Sequence, residues 1–320
     1  MTTVMRIGTR GSALALAQTK KVAASLTAKT GVETELVTIS TAGDRSTESL
    51  STLGGTGVFA SALREALLAG ECDAIVHSLK DLPTAPHAGL SIAAIPKRVD
   101  PRDALCARDG LTLDTLPQGA RVGTGSPRRV AQLLSRRPDL EVVDLRGNVD
   151  TRLGRVASGE LDAVVLAAAG LDRLGRLDAI TEFLDISGWP TAPGQGALAI
   201  EVRTGDEKRV AALDHKPTRT NVEAERAVLA ALEAGCAAPI GAHAVIDDGL
   251  IFLDARVYRP DGTEFVTSSH ALYVADVPNP AADVAARVAA ELLDLGAADL
   301  APLSETRRSG LSNPDQRSAD

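Results

Sequence analysis

The sequence contains two pairs of similar segments in the same order, and this repeat restricts the fold more than any other feature. RIGTRGSALALAQ (6–18) and RVGTGSPRRVAQL (121–133) both run from a short apolar stretch through a Gly, Thr and Ser turn into a helical pattern. GECDAIV (70–76) and GELDAVV (159–165) follow them, and each closes a helix with Gly before a buried β-run. Repeated β-turn-helix-β units predict two similar α/β domains with parallel or mixed sheets that face each other across a cleft. Clefts between domains are where ligands bind.

The chain crosses between the two predicted domains twice. Segments 95–104 and 189–197 are rich in Pro or Gly and are the candidate hinges. Later the pattern changes to a helix from about Asn221 to Leu232, alternating strands and a last helix, which predicts a small α+β domain. We therefore predict domain 1 at 1–96 and 196–213, domain 2 at 101–192, domain 3 at 217–300, and a disordered tail at 303–320.

Composition excludes several classes of function. The chain has 320 residues, 44% hydrophobic and 24% charged, as is typical of a globular protein that buries a full core. No secretory signal and no run of about 20 apolar residues is evident, so we expect a cytoplasmic location. A net charge of −8 argues against nucleic-acid and membrane partners. Neither the three cysteines nor the five histidines have metal-ligand spacing, so we expect reduced thiols and no metal site.

The charge is unevenly distributed along the chain. Between Arg121 and Arg155 there are eight arginines and four acids, a local charge of +4 that leaves −12 on the rest. A local basic field inside an acidic protein favours a small anionic ligand.

The segment GTGSPRRVAQL within this region has the clearest local physics. Ser126 is a good N-cap, Pro127 takes the first helical position, and Arg128 and Arg129 fall in the first turn. Cations there oppose the helix dipole, which is explained if an anion docks on the free N–H groups and the guanidiniums clamp its carboxylates. The alternative is a solvated basic helix end.

More arginines follow at the predicted carboxyl edge of the same sheet. Arg146 comes at a strand end, Arg152 and Arg155 lie on a short helix, and Arg173 follows the next strand. Ligands of α/β sheets bind at this edge, so several guanidiniums in register favour a polyanion.

The segment DAIVHSLKDLPT ends an apolar strand with His77, Ser78, Lys80 and Asp81 in quick succession. Asp81 is the only carboxylate in this turn and is suited to stabilise a developing cation or to move protons. The alternative is a simple turn cap. Phe59 is notable because aromatic residues make up only 2% of the chain, although the local sequence alone favours a core position.

The three cysteines differ in their surroundings. Cys72 and Cys106 lie in or beside apolar strand patterns and are predicted to be small buried residues. Cys236 follows a predicted C-cap glycine and precedes Ala-Ala-Pro, so it lies on a loop of small side chains. Such a loop leaves room beside the sulfur and suits a covalently held group.

Over nearly all of residues 5–300 the chain resembles the porphobilinogen deaminase family, the hydroxymethylbilane synthases of tetrapyrrole biosynthesis. The segments that carry the resemblance are IGTRGSALALAQ, VHSLKDLPT, GTGSPRRVAQL, LRGNVDTRLGR, AGLDRLG, PGQGALAIE and EAGCAAPIGA. The resemblance implies two domains like those of type II periplasmic binding proteins and a small α+β C-terminal domain. It also implies a transferase that condenses four porphobilinogen molecules head to tail, releases ammonia at each step, and frees hydroxymethylbilane with water.

The resemblance also implies roles for individual residues. A dipyrromethane cofactor is attached through Cys236, Asp81 is the catalytic carboxylate, Phe59 lies near the substrate ring, and Gln195 is the glutamine of the domain crossing. The remaining cofactor- and substrate-binding residues that it implies are Arg10, Ser12, Ser78, Lys80, Thr124, Ser126, Arg128, Arg129, Arg146, Arg152 and Arg173.

Three positions depart from the family pattern. Thr56 stands where many relatives have Lys, and Gly11 and Gly125 replace bulkier polar residues, which we expect to loosen the pocket. The expected partners are porphobilinogen and the next enzyme of the pathway, with no nucleic acid or membrane, and the expected state is a monomer. A second hypothesis from another class is a cytosolic two-domain binder of small anions without catalysis, which explains the arginines but not the cysteine loop.

Overall fold

The computed structural model describes residues 4–40, 57–233 and 238–301, in which three separate β-sheets occur. The strands of the first sheet are β1 Met5–Arg10, β2 Thr34–Ile39, β3 Ala74–Ser78, β4 Leu90–Ala94 and β10 Leu198–Arg203. Those of the second are β5 Asp103–Ala107, β6 Arg121–Gly123, β7 Glu141–Val143, β8 Ala163–Ala167 and β9 Glu182–Phe183. Those of the third are β11 Ile240–Asp247, β12 Leu250–Tyr258 and β13 Phe265–Tyr273.

The first two sheets have the same strand order. The first runs β2-β1-β3-β10-β4 and the second β7-β6-β8-β5-β9. In both, the first three strands are parallel and the fourth is antiparallel to its neighbours. The antiparallel strand comes from a domain crossing each time: β5 follows the first crossing and β10 follows the second. The predicted pair of similar mixed-sheet α/β domains is confirmed.

Helices flank the sheets and follow the predicted pattern. Domain 1 contains α1 Ala13–Thr30 and α2 Gly57–Leu68, domain 2 contains α3 Pro127–Arg136, α4 Val149–Ala157 and α5 Ala168–Arg173, and domain 3 contains α6 Lys216–Ala231, α7 Pro280–Asp294 and α8 Ala297–Leu300. Short 3-10 turns occur at Leu79–Asp81, Arg108–Gly110, Leu177–Ala179, Glu207–Arg209 and Ala211–Leu213. None of the described helices has the length and apolar character that a membrane span needs.

The predicted start of the helix in domain 3 at about Asn221 is wrong, because α6 begins at Lys216. The ring of His215 accepts a hydrogen bond from the backbone N–H of Thr218 at 3.2 Å and caps the helix. Pro217 then fits the first turn, where its missing N–H is not needed. Strand β11, which precedes β12, was not part of the sequence prediction.

The sequence repeat is reproduced in the contacts at the start of each sheet. The backbone N–H of Arg6 donates to Asp73 Oδ2 at 2.8 Å, and that of Arg121 donates to Asp162 Oδ2 at 2.7 Å. Each arginine side chain also donates to a carbonyl in the turn before the acid, at 2.9 and 2.8 Å. An arginine and an aspartate at equivalent positions therefore fasten the first strand to the end of the second helical segment in both domains.

Both predicted structural cysteines lie in the interior. Cys72 and Cys106 are 0% and 3% exposed, and burial raises the pKa of their thiols to about 11 and about 12. Cys72 packs against the backbone of Gly8, where an added Cβ would be 2.9 Å from its sulfur. The prediction that these cysteines are buried hydrophobic residues is confirmed.

Helix α6 of domain 3 connects to both domain crossings. Glu225 is fully buried and accepts two hydrogen bonds from the guanidinium of Arg98 in the first crossing, at 2.5 and 3.2 Å. It also accepts one from the backbone N–H of Gly194 in the second crossing, at 2.7 Å. The predicted residue limits of the domains stay a prediction, and the predicted tail at 303–320 lies outside the described residues.

Candidate active site

The turn that carries Asp81 follows directly after β3, at the edge of the sheet that faces domain 2. Ser78, the last residue of β3, accepts a hydrogen bond from Gln18 Nε2 of α1 at 2.9 Å. Lys80 and Asp81 come next in the 3-10 turn Leu79–Asp81, and both are half-buried. The preceding residue His77 points into the core of domain 1, where its ring lies 3.3 Å from Glu201.

The sequence analysis missed a residue of domain 3 that holds this turn. Arg226 of α6 donates hydrogen bonds to the carbonyl oxygens of Leu79, Leu82 and Pro83 at 3.3, 2.8 and 2.7 Å. These carbonyls flank Asp81 on both sides. An arginine in the middle of an amphipathic helix carries no local signal that it contacts another domain.

Lys80 is joined to domain 2 through Gln195. The Lys80 ammonium donates to Gln195 Oε1 at 3.3 Å, and Gln195 Nε2 donates to the carbonyl of Pro101 at 2.7 Å and to Asp103 Oδ1 at 2.8 Å. Burial, together with the nearby charge of Arg129, lowers the pKa of Lys80 to about 8. Gln195, the glutamine that the resemblance places at the domain crossing, thus links Lys80 of domain 1 to Asp103 of domain 2.

Arg128 and Arg129 are buried on an internal carboxylate. They are 4% and 6% exposed, and their Nη atoms lie 2.8 and 2.6 Å from the oxygens of Asp103, which is 0% exposed. The alternative interpretation of this segment as a solvated basic helix end is therefore wrong. The clamped carboxylate within the described residues belongs to the protein itself, yet the buried Nε atoms of both arginines have no hydrogen-bond partner there. Ser126 lies at the N-cap position as predicted, but its side chain makes no capping hydrogen bond.

Three further predicted arginines form no ion pair in the described parts of the chain. Within the described residues no carboxylate lies within 4.0 Å of Arg146, Arg152 or Arg173. Arg152 and Arg173 instead donate to the carbonyls of Gly147 and Gly196 at 2.8 and 2.7 Å. Burial lowers the pKa of Arg152 and of Arg173 to about 10, and the charges of Arg129 and Arg146 act in the same direction on Arg152.

The other arginines of the basic segment do not contribute to this cluster. They form ion pairs at the protein surface, and these pairs are Arg121 with Glu141, Arg136 with Asp114, Arg137 with Asp139, and Arg155 with Glu160. The local charge of +4 read from the sequence is therefore divided. Four of its eight arginines pair with acids at the surface, Arg128 and Arg129 share the buried Asp103, and Arg146 and Arg152 form no ion pair within the described residues.

The remaining predicted residues lie at the starts of the first helices. Arg10 ends β1, and Ser12 caps α1 by accepting a hydrogen bond from the backbone N–H of Ala15 at 3.3 Å. Thr124, which is 1% exposed, occupies the corresponding turn of domain 2. Gly125 does not loosen this turn as expected, since an added Cβ would lie 2.7 Å from the carbonyl oxygen of Leu145. The glycine permits a close backbone approach instead.

Three positions singled out in the sequence lie outside the described parts of the structure. Cys236 and Thr56 belong to undescribed segments, and the side chain of Phe59 at the start of α2 is likewise not described. Helix α6 ends at Ala231, and the described chain resumes at Ala238 just before β11. The predicted attachment loop therefore connects these two elements of domain 3.

The described site is an acid and a lysine on domain 1 facing a group of guanidiniums on domain 2. Lys21 of α1 and Asp172 of α5, 3.5 Å apart, show that the two domains also touch beside the cleft. Such an arrangement suits a small molecule with several carboxylates, because each carboxylate can pair with a guanidinium that has no acid of its own. The fold and site define a class of protein with two similar α/β domains, in which the residues between the domains suit a polycarboxylate.

The chain belongs to the porphobilinogen deaminase family. Residues 5–211 match the family description "Porphobilinogen deaminase, dipyromethane cofactor binding domain", and residues 219–294 match "Porphobilinogen deaminase, C-terminal domain". The porphobilinogen deaminase of Leifsonia xyli is 63% identical over 95% of this chain and 96% of its own length. That of Thermobifida fusca is 57% identical over 87% of this chain and 88% of its own. The protein is thus a transferase of hydroxymethylbilane synthesis with a dipyrromethane cofactor, and the hypothesis of a binder without catalysis is wrong.

Solved structures of periplasmic binding proteins share a similar architecture. The methionine-binding protein MetQ matches 65% of this chain and 88% of its own at 14% identity and a TM-score of 0.42. A periplasmic substrate-binding protein from Coxiella burnetii gives the same identity and score over 65% and 91%. The strand order of the two sheets, rather than these scores, defines the fold.

Proposed function

We propose that the condensation takes place in the cleft between domains 1 and 2, with Asp81 as its catalytic carboxylate. The observation that carries this assignment is the hydrogen-bonded connection from Lys80 through Gln195 to Asp103. It puts the turn of domain 1 opposite the guanidiniums of domain 2. In each addition the C–N bond of the aminomethyl group breaks, ammonia leaves, and a methylene bridge forms to the next pyrrole. A carboxylate beside the ring stabilises the cation that forms as ammonia departs. It can also accept the proton that the next pyrrole loses when its carbon forms the new bond.

The arginines of domain 2 hold the carboxylates of the growing chain. Every porphobilinogen unit brings two carboxylates, so an extended product needs several fixed cations in one place. Arg146, Arg152 and Arg173 fit this role because no described carboxylate neutralises them and burial already lowers the pKa of Arg152 and Arg173. The Lys80 ammonium supplies a further donor in the turn after β3. The hydroxyl groups of Ser12, Thr124 and Ser126 supply others at the starts of α1 and α3. We assign Arg10, Ser78 and Phe59 to the same binding surface from the family resemblance.

The donor set also fits the dipyrromethane cofactor. The buried Nε atoms of Arg128 and Arg129 lack partners within the described residues, and a cofactor with acetate and propionate groups offers acceptors for such donors. When bound, dipyrromethane supplies the pyrrole carbon to which the first substrate molecule is joined. We propose that a thioether through Cys236 attaches it. Arg226 supports this assignment, because it brings the helix that leads to Cys236 into contact with the turn of Asp81.

Intact mass spectrometry of the purified protein tests this assignment. We expect a mass above that of the polypeptide by two pyrrole units, and we expect Cys236→Ser to lose both the increment and the activity. Cys72→Ser and Cys106→Ser are matched controls, and both should keep the increment because these sulfurs are buried in the cores of domains 1 and 2. A Cys236→Ser protein that is still modified and active would overturn the attachment site.

We also propose the finer properties of the molecule. The enzyme works in the cytoplasm as a monomer and passes hydroxymethylbilane to the next enzyme of the pathway. The free, buried thiols of Cys72 and Cys106 support a reducing compartment. The domain limits at 1–96 with 196–213, 101–192 and 217–300 are supported by the sheets, since no described strand belongs to more than one of them. Light scattering on a sizing column at several concentrations would show a dimer if the monomer assignment is wrong.

A further inference from the structure

Asp103 is the point where the described hydrogen bonds of the cleft converge. It is the first residue of β5 and is 0% exposed. Its Oδ1 accepts from Arg129 Nη2 at 2.6 Å and from Gln195 Nε2 at 2.8 Å. Its Oδ2 accepts from Trp189 Nε1 at 2.8 Å and lies 2.8 Å from Arg128 Nη1. Burial opposes ionisation, but Arg128 and Arg129 outweigh it and hold the pKa of Asp103 far below its usual value, so the group is a carboxylate.

The groups that Asp103 holds come from different parts of the chain. Arg128 and Arg129 belong to α3 of domain 2, whereas Gln195 lies in the second crossing and accepts from Lys80 of domain 1. A single carboxylate thus connects a lysine on one side of the cleft to two guanidiniums on the other. Without this charge, two buried cations close to each other would repel, and neither they nor Gln195 would keep a fixed orientation.

We propose that Asp103 is a positioning residue for the condensation, which holds Arg128, Arg129 and Gln195 so that both walls of the cleft face one substrate. This inference rests on the proposed function of the cleft. Asp103 acts only through these neighbours, since its two oxygens are already occupied by four donors from the protein. The guanidiniums keep their Nε–H groups free of described partners, so binding to Asp103 leaves donors for a ligand.

Domain 1 contains a matched control for this proposal. Glu201 on β10 is 2% exposed, accepts two hydrogen bonds from Arg64 at 2.9 Å each, and lies 3.3 Å from His77. It is a buried acid bound to arginine, like Asp103. However, Glu201 pairs in register with Ile75 in the middle of β3, whereas Asp103 pairs with Ala167 at the last position of β8. Glu201 therefore contacts none of the residues assigned to the substrate.

The experiment compares Asp103→Asn with Glu201→Gln in protein whose intact mass shows a complete cofactor, at a temperature where circular dichroism shows both to be folded. We expect Asp103→Asn to lower kcat/KM for porphobilinogen by about 10²-fold, as a small misplacement of binding groups can. We expect the kcat/KM of Glu201→Gln to stay within about 3-fold of the parent value, even if its melting temperature falls as much as that of Asp103→Asn. Equal losses of activity in the two variants would reduce Asp103 to a structural role and overturn the proposal.

A double-mutant cycle with Gln195→Ala gives a readout that stability alone does not affect. Both substitutions break the same connection, so the double variant should be about as slow as the slower single variant. Losses of kcat/KM that multiply would contradict the proposal.

A milder substitution keeps the test decisive if Asp103→Asn does not fold or does not load its cofactor. Trp189→Phe removes one donor from Asp103 Oδ2 and leaves all charges in place. We expect kcat/KM to fall about 10-fold, near the lower end of the range for a hydrogen bond to a charged group. An unchanged value would overturn the proposal. The proposed function fails separately, through a parent protein without the mass increment or without hydroxymethylbilane synthesis.

Discussion

Domains 1 and 2 have the same strand order but carry different chemistry at corresponding positions. After β3 ends at Ser78, domain 1 continues with Lys80 and Asp81, whereas after β8 domain 2 continues with the small residues Ala168, Ala169 and Gly170. The reverse holds at the first helix of each domain: α3 begins with two buried arginines, and the first turn of α1 has no charge. The two domains therefore share a framework but differ in chemistry. We call the turn with Asp81 in domain 1 the acidic wall of the cleft, and the arginines of domain 2 its cationic wall.

The buried acids show the same division. Each domain places one carboxylate on the antiparallel strand that comes from a crossing, and each carboxylate binds arginine. Glu201 faces the core of domain 1, where it lies beside Arg64 and His77 of the same domain. Asp103 lies at the edge of its sheet and reaches Gln195 and Trp189 in the second crossing. Asp103 pairs with the fifth residue of its neighbouring strand, whereas Glu201 pairs with the second residue of its own neighbour. This difference of three positions places Asp103 beside the site and leaves Glu201 in the core.

The largest expected effect comes from removing the acidic wall. Asp81→Ala should lower kcat by about 10²-fold or more, the usual contribution of an acid-base group, while porphobilinogen binding stays measurable. The control is Asp178→Ala in the 3-10 turn Leu177–Ala179 of domain 2, an exposed acid with no assigned role, which should keep normal turnover. The rate of ammonia release in a single turnover compares the two variants. Normal turnover in Asp81→Ala would show that the two walls are not chemically distinct.

The next effect concerns the cationic wall and compares two arginines of α4. Arg152→Met should raise KM for porphobilinogen about 10- to 100-fold, because a charge-assisted hydrogen bond is worth about 1.5–3 kcal/mol. Arg155→Met is the matched control, since Arg155 pairs with Glu160 at the surface and should leave KM within about 2-fold. Steady-state kinetics would contradict the division of the basic segment if both variants behaved alike.

A smaller effect is expected from Arg226, which supports the acidic wall from domain 3. Arg226→Met should lower kcat about 10-fold with little change in KM, because the turn around Asp81 loses three hydrogen bonds that its carbonyl oxygens accept from Arg226. Arg203→Met is the control, as Arg203 also clamps two backbone carbonyls in domain 1, those of Leu67 and Cys72, away from this turn. If Arg203→Met slows turnover equally, the effect belongs to the stability of domain 1 and not to Asp81.

The last comparison concerns stability in acid, with no change of activity expected. Burial opposes ionisation of Glu201, but the nearby His77 ring and the two hydrogen bonds from Arg64 lower its pKa to about 2, below the usual 4.5. A depressed carboxyl pKa stabilises the folded protein above the unfolded value and ceases to do so as pH falls from about 4.5 towards 2. Between pH 7 and pH 3 the parent protein should lose about 2 kcal/mol more unfolding free energy than Glu201→Gln. Parallel denaturation curves for the two proteins at both pH values would refute this.

The two α/β domains could be predicted because their signals are local. The repeated segments contain the turn glycines, the apolar runs and the capping residues that start each strand and helix, and these depend on neighbours in the sequence. The burial of Cys72 and Cys106 followed from the same patterns. The start of α6 was missed because its cap is the ring of His215, a residue with no strong preference for that position.

The site was predicted only in part, for a physical reason. The residue types and their order indicate which side chains meet the substrate, and the family resemblance assigns Asp81, Cys236 and the arginines. Which arginines are neutralised cannot be read from the sequence, since Asp103 lies 25 and 26 residues from Arg128 and Arg129 and Arg226 lies 147 residues from Leu79. The sequence by itself determined the two domains and the chemistry available to them. Only the tertiary structure decided which charges are paired, because ion pairing depends on distances of a few ångströms between segments that folding alone brings together.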